Sequence, residues 1–498
     1  MSRLLFCSLA ISLCTCAVAC GSDDSSGGTG GSAGTTNGGS SGSSNGGSAG
    51  SSNGGSAGSG NGGSAGTGNG GSSASGGSAG NAGSSGSGGS AGTGGLASCA
   101  PLPMPSGNTV RVTPGEADQL PSIVAGAASG TTILLADGTY TMSTSGEAAR
   151  RIQLKTPGVT LRGESGDASK VILDGEYQTD EMVTVHASDV TLAHFTVTHA
   201  VNHPIHVTPD ESGEIVSGTR IYGMRIIDGG EQFVKINQNG DRDAFSDDGS
   251  VECSYFELTD AGRPHIERNP GGCYTGGIDG HSAQGWVVRQ NTFKGIYCAG
   301  EGLAEHAVHF WSASRDTLVE NNTIIDCARG VGFGLVETGN VRNYPDDPYP
   351  GVGYIGHYDG IIRNNVIWAN IAYFDTGIEL DQAHGAKVFH NTIAIGSSAT
   401  GFFSGIDYRF ANSLVEIANN IAQRITVRNG AMGTLSDNLE GSPLSLFVDA
   451  SGGDFHLAAG GAADAAVDQG GALTEAGVDI DGETHDKGSA PDIGADER

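Results

Sequence analysis

Short apolar runs separated by glycine-rich turns dominate the chain from residue 108 to its C-terminus. The stretch 122–142, SIVAGAASGTTILLADGTYTM, contains an apolar turn, a tight turn bounded by glycine and the strand-like run ILLA. The segments GVTLRGESG and KVILDG continue the same alternation. No convincing helical period occurs over roughly 300 residues. The pattern therefore predicts an all-β chain built from short strands.

A polar residue recurs within this apolar pattern. The unit apolar-x-x-Asn-x-apolar appears as VRQNTF, VENNTI, IRNNVI and VFHNTI. Neighbouring units are mostly about 30 residues apart, which is typical of a solenoid. We expect these side chains to stack on successive coils and to hydrogen-bond inside the core. The asparagine or its equivalent falls at Phe195, Met224, Ser254, Asn291, Asn322, Asn365, Asn391 and Asn419.

The opening SIVAGAASGTTILLADGTY, the asparagine-bearing turns and the terminal PDIGADER resemble bacterial right-handed parallel β-helix proteins of the pectate-lyase-like superfamily. The resemblance covers nearly all of residues 108–498. It implies one right-handed, single-stranded parallel β-helix domain over 98–498, since a solenoid lets roughly 400 residues form one unit. That superfamily includes pectate, alginate and chondroitin lyases, polygalacturonase-type hydrolases, epimerases and non-catalytic adhesins. The resemblance is therefore specific for the fold and not for an activity.

Each coil carries a further strand with an apolar centre. Aligned on that centre, these strands read HPIHV, QFVKI, GGIDG, HAVHF, RGVGF, TGIEL and SGIDY. Because side chains alternate along a strand, we expect the central residues to point into the core and their successors to point outward. The central residues are Ile205, Val234, Ile278, Val308, Val331, Ile378 and Ile406.

The outward positions form two rows that are rich in ionisable side chains. The first row is His206, Lys235, Asp279, His309, Gly332, Glu379 and Asp407. The second row is Thr208, Asn237, His281, Trp311, Gly334, Asp381 and Arg409. Since coils stack about 4.8 Å apart, we expect His309 and Glu379 to flank a bare glycine floor wide enough for a sugar ring. A hydrogen-bonded polar ladder without a ligand is the alternative.

The strand period also decides how EHAVHFW, residues 305–311, is interpreted. On a helix His306 and His309 would share a face as a metal pair, whereas strand alternation separates them. We therefore expect His306 inside or at the turn. Glu305, His309 and Trp311 are expected outside.

A polysaccharide lyase is the leading functional hypothesis for these rows. β-Elimination needs a base for the C5 proton and a cation beside the uronate carboxylate. Lys235 or His281 would be the base, His309 the proton donor, and Arg409 or bound Ca²⁺ the cation. Lys235 and Arg409 are five coils apart, however, and at about 4.8 Å per coil they cannot act on one sugar.

Two other activities fit the same residues. A glycoside hydrolase would use carboxylates on adjacent coils, drawn from Glu379, Asp381 and Asp407. A non-catalytic module would bind surface glycan without cleaving it. In each case the predicted substrate-binding side chains are Asn237, Trp311, Asp381, Asp407 and Tyr358.

Two kinds of metal site are conceivable on the same face. The carboxylates of Asp279, Glu379 and Asp381, together with Asp407, offer the oxygen ligands that Ca²⁺ prefers. His281 with His309 would instead suit a transition metal. We expect Ca²⁺ if the protein has a cofactor.

The N-terminus predicts export. Residues 1–20, MSRLLFCSLAISLCTCAVAC, have an early arginine, an apolar stretch and a small-residue run ending in cysteine. This is typical of a secretory signal and too short for a spanning helix. The run AVAC resembles a bacterial lipobox, which implies that Cys20 is lipidated, and Gly21 after it implies the outer membrane. A plain signal peptide cleaved near Ala19 is the alternative.

Composition and charge add two expectations. Residues 21–97 are mainly glycine, serine, alanine, asparagine and threonine, which predicts a flexible tether between anchor and domain. The formal net charge of −30 disfavours nucleic-acid binding and favours solubility. We expect a monomer that meets a polysaccharide and touches the membrane only through its lipid anchor.

Five of the nine cysteines remain after the signal peptide and Cys20 are set aside. An oxidising compartment favours disulfides, and the spacings match no zinc motif. We expect the local pairs Cys253–Cys273 and Cys298–Cys327, with Cys99 left over.

Overall fold

The computed structural model describes residues 99–143, 150–267, 272–300 and 302–498. The predicted signal peptide, the lipidation site at Cys20 and the linker 21–97 lie outside these residues. Within the described ranges, no helix is long and apolar enough to cross a membrane.

Three long sheets build the fold, and the strand pairings within them are parallel. Neighbouring strands in each sheet come mostly from successive coils of the chain. This is the predicted parallel β-helix. Sheet 1 contains Thr109–Val112, Thr132–Leu135, Thr160–Gly163, Thr191–Ala193, Arg220–Tyr222, Ser250–Glu252, Val287–Arg289, Ser314–Arg315, Leu318–Glu320, His357–Tyr358, Ile361–Arg363, Ala383–Phe389, Leu414–Ala418 and Met432–Ser436.

The other two long sheets complete each coil. Sheet 2 contains Gly138–Thr141, Val171–Asp174, Thr196–Thr198, Arg225–Ile227, Tyr255–Glu257, Thr292–Lys294, Thr323–Ile325, Val366–Ala369, Thr392–Ile395, Ile421–Ala422 and Leu439–Glu440. Sheet 3 contains Ile152–Leu154, Val183–Val185, Ile205–Val207, Gln232–Ile236, Gly276–His281, His306–Trp311, Arg329–Phe333, Thr376–Asp381, Ser404–Arg409 and Ile425–Arg428.

Few elements lie outside the three sheets. Ile215–Ser217 pairs in parallel with Phe245–Asp247, and Phe447–Asp449 pairs antiparallel with Asp454–Leu457. The α-helices are Leu120–Ala125, which buries Leu120 and Val124, and Arg263–Glu267. The 3₁₀ helices are Pro114–Glu116, Ala168–Lys170, Leu444–Leu446, Ala450–Gly452 and Gly461–Ala465.

A ladder of stacked asparagines runs through the core, as predicted. The amide nitrogen of Asn322 donates to Oδ1 of Asn365 at 2.9 Å, and Asn365 donates in turn to Asn391 at 2.9 Å. Asn391 donates to Asn420 at 3.0 Å, so the prediction of Asn419 is wrong by one residue. Asn419 has a left-handed backbone with φ of 57°, and its amide donates to His390 instead.

Replacing Asn365 with alanine is expected to lower the free energy of unfolding by about 1–3 kcal/mol, because it leaves buried partners unsatisfied. The side chain also donates to the carbonyls of Val319 and Arg363, each at 2.9 Å, and accepts from the backbone of Asn322 at 3.0 Å. Urea unfolding measures the change. Asn340→Ala, at an exposed site, is the matched control, and an equal loss in both variants would contradict a stabilising ladder.

The C-terminal segment after residue 440 covers part of sheet 2. A second apolar cluster joins Val366, Trp368, Ala394 and Ile421 of that sheet to Leu446, Phe447, Phe455, Leu457 and Ile493. Sheet 3 therefore carries the ionisable rows on a different side of the β-helix from this cover.

The disulfides differ from the predicted ones. Cys99 bonds to Cys253 and Cys273 bonds to Cys298, while Cys327 is a buried free thiol whose pKa burial raises to about 12. Sequence proximity misleads here, since a solenoid brings residues one or more coils apart into contact. The first disulfide spans 154 residues and ties the N-terminal segment to the coils.

Candidate functional site

The strands of sheet 3 pair in the predicted register. Ile278 lies opposite Val308, and Asp279 lies opposite His309. Gly332 lies opposite Glu379, which in turn lies opposite Asp407. The alignment on apolar centres therefore identified the two rows, because a parallel stack in constant register places equivalent positions side by side.

The first row is covered, and the predicted open groove is wrong. Its ionisable residues from Lys235 onward are each at most 5 % exposed, as is Asp381 of the second row. Burying so many charges is costly unless each finds a partner. The residues that remain partly accessible to solvent lie mainly in the second row. They are Thr208, Asn237, His281, Trp311 and Arg409.

Lys235 and Asp279 form a buried ion pair at 2.6 Å. Lys235 Nζ also donates to the Tyr274 hydroxyl and contacts Nε2 of His281, both at 3.2 Å. Burial opposes the charged ammonium, but Asp279 and Tyr274 raise the pKa of Lys235 above its usual value. Lys235 therefore stays protonated, and this environment does not suit the predicted role as a base.

Asp279 organises two neighbours besides Lys235. Its Oδ2 lies 2.9 Å from Nε2 of His281, and its Oδ1 accepts from Trp311 Nε1 at 2.8 Å. Although burial disfavours its charge, Lys235 and His281 hold the pKa of Asp279 well below its ordinary value. Asp279 is thus a fixed carboxylate that orients an imidazole and an indole at the surface.

His281 is a neutral imidazole in this setting. Burial and then the charge of Lys235 lower its pKa below the usual 6.5. Asp279 and Lys235 both contact Nε2, and the shorter contact, to Asp279 at 2.9 Å, favours the proton on Nε2 and the lone pair on Nδ1. The Trp311 ring stands edge-on to His281 with centroids 4.4 Å apart.

Two amide oxygens near His281 lack hydrogen-bond donors. Asn237 directly follows the strand adjacent to that of His281, and Gln238 follows it. Oδ1 of Asn237 and Oε1 of Gln238 are buried without a partner. Such orphan acceptors are rare in proteins, and they suit donor groups arriving from a ligand.

His306 does not point inward, and the predicted separation of the two histidines is wrong. The rings of His306 and His309 lie 4.4 Å apart on the same side of sheet 3. Ala307 and Val308 both belong to the apolar core. Two consecutive inward residues break the alternation where the strand begins, and they bring residues 306 and 309 onto one face.

The predicted glycine floor is filled as well. A Cβ on Gly332 would stand 2.7 Å from the His306 ring, and one on Gly334 would strike the backbone oxygen of Asp381. The glycines make room for protein atoms and not for a sugar ring. Nε2 of His306 reaches Oε2 of Glu379 at 3.0 Å.

Arg329 completes this buried cluster. Its guanidinium contacts Glu379 at 3.2 Å and Glu305 at 3.3 Å. Burial, then Arg329, lower the pKa of His306 to about 3. His309 behaves oppositely: burial works against its charge, but the Glu305 carboxylate raises its pKa.

The carboxylates of Glu379, Asp381 and Asp407 converge within 4.8 Å. Arg409 pairs with Glu379 at 2.6 Å and also with Asp381, while Arg428 pairs with Asp407. Burial followed by the charge of Glu379 raises the pKa of Asp381 to about 7, even with Arg409 beside it. Arginine nitrogens therefore occupy oxygens that a cation would need.

The structure does not assemble either predicted metal site, and it places Tyr358 on a different sheet. Asp279 is three strands away from Glu379 in sheet 3, so the proposed Ca²⁺ ligands Asp279, Glu379 and Asp381 do not meet. His281 lies in the other row from His309 and is bonded to Asp279, so these two do not form a metal pair. Tyr358 belongs to sheet 1 and packs with Tyr344.

Four residues that contact the outer rows of sheet 3 were not predicted from the sequence. Tyr274 lies in a loop, and Arg428 lies in a strand that the alignment omitted. His306 and Arg329 lie opposite each other at the strand starts, where alternation fails. The recurrence of a charged or polar residue two positions before the apolar centre was the available signal.

Comparison with known proteins gives distant similarities. A scan against family models finds no match, and a search of the curated proteins also finds none. The pectate lyase Pel9A has a TM-score of 0.48 and 16 % identity, covering 79 % of this chain and 97 % of its own. An alginate lyase from Paenibacillus sp. strain FPU-7 has a TM-score of 0.40 and 15 % identity, with coverages of 66 % and 97 %. A rhamnogalacturonan lyase has a TM-score of 0.41 and 14 % identity, with coverages of 69 % and 91 %.

Proposed function

We propose that this protein cleaves a uronate-containing polysaccharide by β-elimination at the surface around His281. The main observation is the neutral His281 imidazole, which contacts Asp279 through Nε2 and whose side chain is 13 % exposed. A neutral histidine with a fixed tautomer is a suitable general base near neutral pH. No step is routed through Ca²⁺, because Arg409 contacts oxygens of Glu379 and Asp381, and Asp279 lies three strands away from Glu379.

In the proposed reaction, Nδ1 of His281 takes the C5 proton of the uronate. The C5–H electron pair forms the C4–C5 double bond, the C4–O bond breaks, and the departing oxygen receives a proton from the Tyr274 hydroxyl. Lys235 Nζ lies 3.2 Å from the Tyr274 hydroxyl and 3.2 Å from Nε2 of His281, and it contributes positive charge near the developing anion. The Trp311 ring offers an apolar face to a sugar, and Asn237 accepts from its hydroxyls.

Hydrolysis is the second candidate, and one observation favours it. Asp381 has a pKa raised to about 7, whereas His306 and Arg329 outweigh burial and hold the pKa of Glu379 well below its usual value. A carboxyl pair with such separated pKa values is typical of an acid and a nucleophile in glycosidases. Arg409 bonds to both groups, which makes this pair the weaker proposal.

The test uses the purified mature chain with a panel of uronate polymers. β-Elimination is expected to produce an unsaturated sugar end that absorbs in the ultraviolet. New reducing ends without that absorbance would indicate hydrolysis, and retention on the polymer without either signal would indicate binding alone. Either of these two results would overturn the lyase proposal.

We further propose that the protein is exported and anchored to the outer membrane through a lipidated Cys20, acting as a monomer. The lipobox-like run ending at Cys20 and the glycine-rich residues 21–97 support this arrangement. Mass spectrometry of the mature N-terminal peptide checks it, since an unmodified N-terminus beginning elsewhere than Cys20 would contradict the anchor.

A further inference from the structure

His306 and His309 each commit one ring nitrogen to a fixed acceptor. Nε2 of His306 lies 3.0 Å from the Glu379 carboxylate, and Nε2 of His309 lies 2.9 Å from the carbonyl of Gly334. An acceptor at Nε2 places the proton there and leaves the lone pair on Nδ1. Histidines that bind metals are typically oriented in this way by carboxylates or backbone carbonyls.

Both Nδ1 atoms are buried without a hydrogen-bond partner. His306 and His309 are each 1 % exposed, so bulk solvent does not reach them. The two nitrogens face the same oxygen, Oε2 of Glu305, at 3.9 and 3.4 Å. The Glu305 carboxylate attracts His309 electrostatically, but neither nitrogen makes a hydrogen bond of regular geometry, and two such nitrogens beside one carboxylate are unusual.

The geometry points to a site for Zn²⁺ or a chemically similar divalent transition metal, held by Glu305, His306 and His309. Two imidazole nitrogens and a carboxylate oxygen are preferred ligands of such ions. Ligands about 2.0–2.1 Å from a tetrahedral ion stand about 3.3 Å from one another. The observed separations from Oε2 are close to this value, and the three donor atoms lie within 4.8 Å of one another.

Arg329 also contacts the cluster. Its guanidinium donates to Oε2 of Glu305 at 3.3 Å, so a bound ion would share this oxygen with Arg329 or displace the guanidinium, which also contacts Glu379 at 3.2 Å. Oδ1 of Asp279 lies 3.6 Å from Nδ1 of His309 and is the nearest candidate for a fourth ligand. The Glu305 side chain is 21 % exposed and gives an ion its route from solvent.

A second histidine group on the same face serves as a comparison. Glu181, His203 and His206 also converge within 4.8 Å. There the Nδ1 atoms of His206 and His203 already contact the Glu181 carboxylate at 2.8 and 3.4 Å. These nitrogens are satisfied by protein, so this group lacks the paired vacant lone pairs of the first.

The test measures metal binding by the mature chain without any glycan, so its result is independent of the proposed reaction. Chelator-treated protein is dialysed against Zn²⁺ and then analysed for bound metal. We expect one ion per chain whose binding is lost in H306Q and H309Q and retained in H206Q. E379Q, which replaces the charged acceptor of His306 Nε2 with a neutral amide, should weaken binding by about 10–100-fold.

Two further measurements use the wild-type chain, so they do not depend on whether the variants fold. Co²⁺ bound to the wild-type chain should give the visible absorption of a tetrahedral site, and anomalous scattering from zinc-soaked crystals should place the ion beside Nδ1 of His306 and His309. Absence of bound Zn²⁺ in the wild type, an ion located elsewhere, or loss of binding confined to H206Q would overturn the site.

Discussion

Replacing Asp279 with alanine is expected to destabilise the protein by about 3–5 kcal/mol. The substitution leaves the Lys235 ammonium, whose side chain is 2 % exposed, without its counterion. It also removes the acceptor for His281 and Trp311. Urea unfolding followed by tryptophan fluorescence measures the loss of free energy.

A surface ion pair provides the matched control for Asp279. Lys155 and Asp210 are also 2.6 Å apart, but their side chains are 54 % and 37 % exposed. K155A, which removes only the exposed lysine of this pair, should cost less than about 1 kcal/mol, because solvent already screens the pair. The double variant D279A/K235M should be more stable than D279A, since it removes the unpaired charge as well. Equal losses in D279A and K155A would contradict the energetic role assigned to burial.

The loss of unfolding free energy in D279A should depend on pH, and the pKa of Asp279 fixes the direction of this dependence. The folded-state pKa of Asp279 is depressed well below the ordinary aspartate value of 3.8. Its contribution to stability is therefore complete above the ordinary carboxyl range and is lost as the pH falls below it. The difference in unfolding free energy between wild type and D279A should shrink in acid, and a difference that grew in acid would contradict the ion pair.

The positions of the two rows were predictable because the fold repeats in constant register. Each apolar centre of sheet 3, from Ile205 to Ile406, pairs with its predicted neighbour. That register depends only on local alternation and on the stacking of coils, both of which the sequence encodes directly. The pairing of Asp279 with His309 followed from it without any knowledge of the side-chain contacts.

The residues that bury the two rows were not predictable from the sequence, because they lie where the chain departs from the repeat. The bend at Ala307 and Val308 moves His306 onto the outer face, where it fills the space above Gly332. Tyr274 reaches Lys235 from a loop whose path no strand pattern fixes. Alternation gives the side of a sheet on which a residue lies, but not which distant segment will bury it.

Replacing His281 with alanine is expected to lower the rate of β-elimination by about 10²–10⁴-fold, the usual contribution of a positioned general base. In the proposed reaction Nδ1 of this neutral imidazole is the base, and its removal leaves no group to take the C5 proton. His206 provides the matched control, because its side chain is 15 % exposed and that of His281 is 13 % exposed. H206A should keep the wild-type rate, since His206 is bonded to Glu181 two strands away from His281.

The pH profile separates a base from a merely structural histidine. A base acts only when it is neutral, so the rate should fall as the pH drops through the pKa of His281. Burial and Lys235 lower that pKa, which places the acid limb below the ordinary histidine value of 6.5. K235M removes the neighbouring positive charge and should move this limb toward higher pH, whereas a lost packing contact would reduce the rate equally at every pH. An acid limb that does not move in K235M, or equal rates in H281A and H206A, would remove His281 from the reaction.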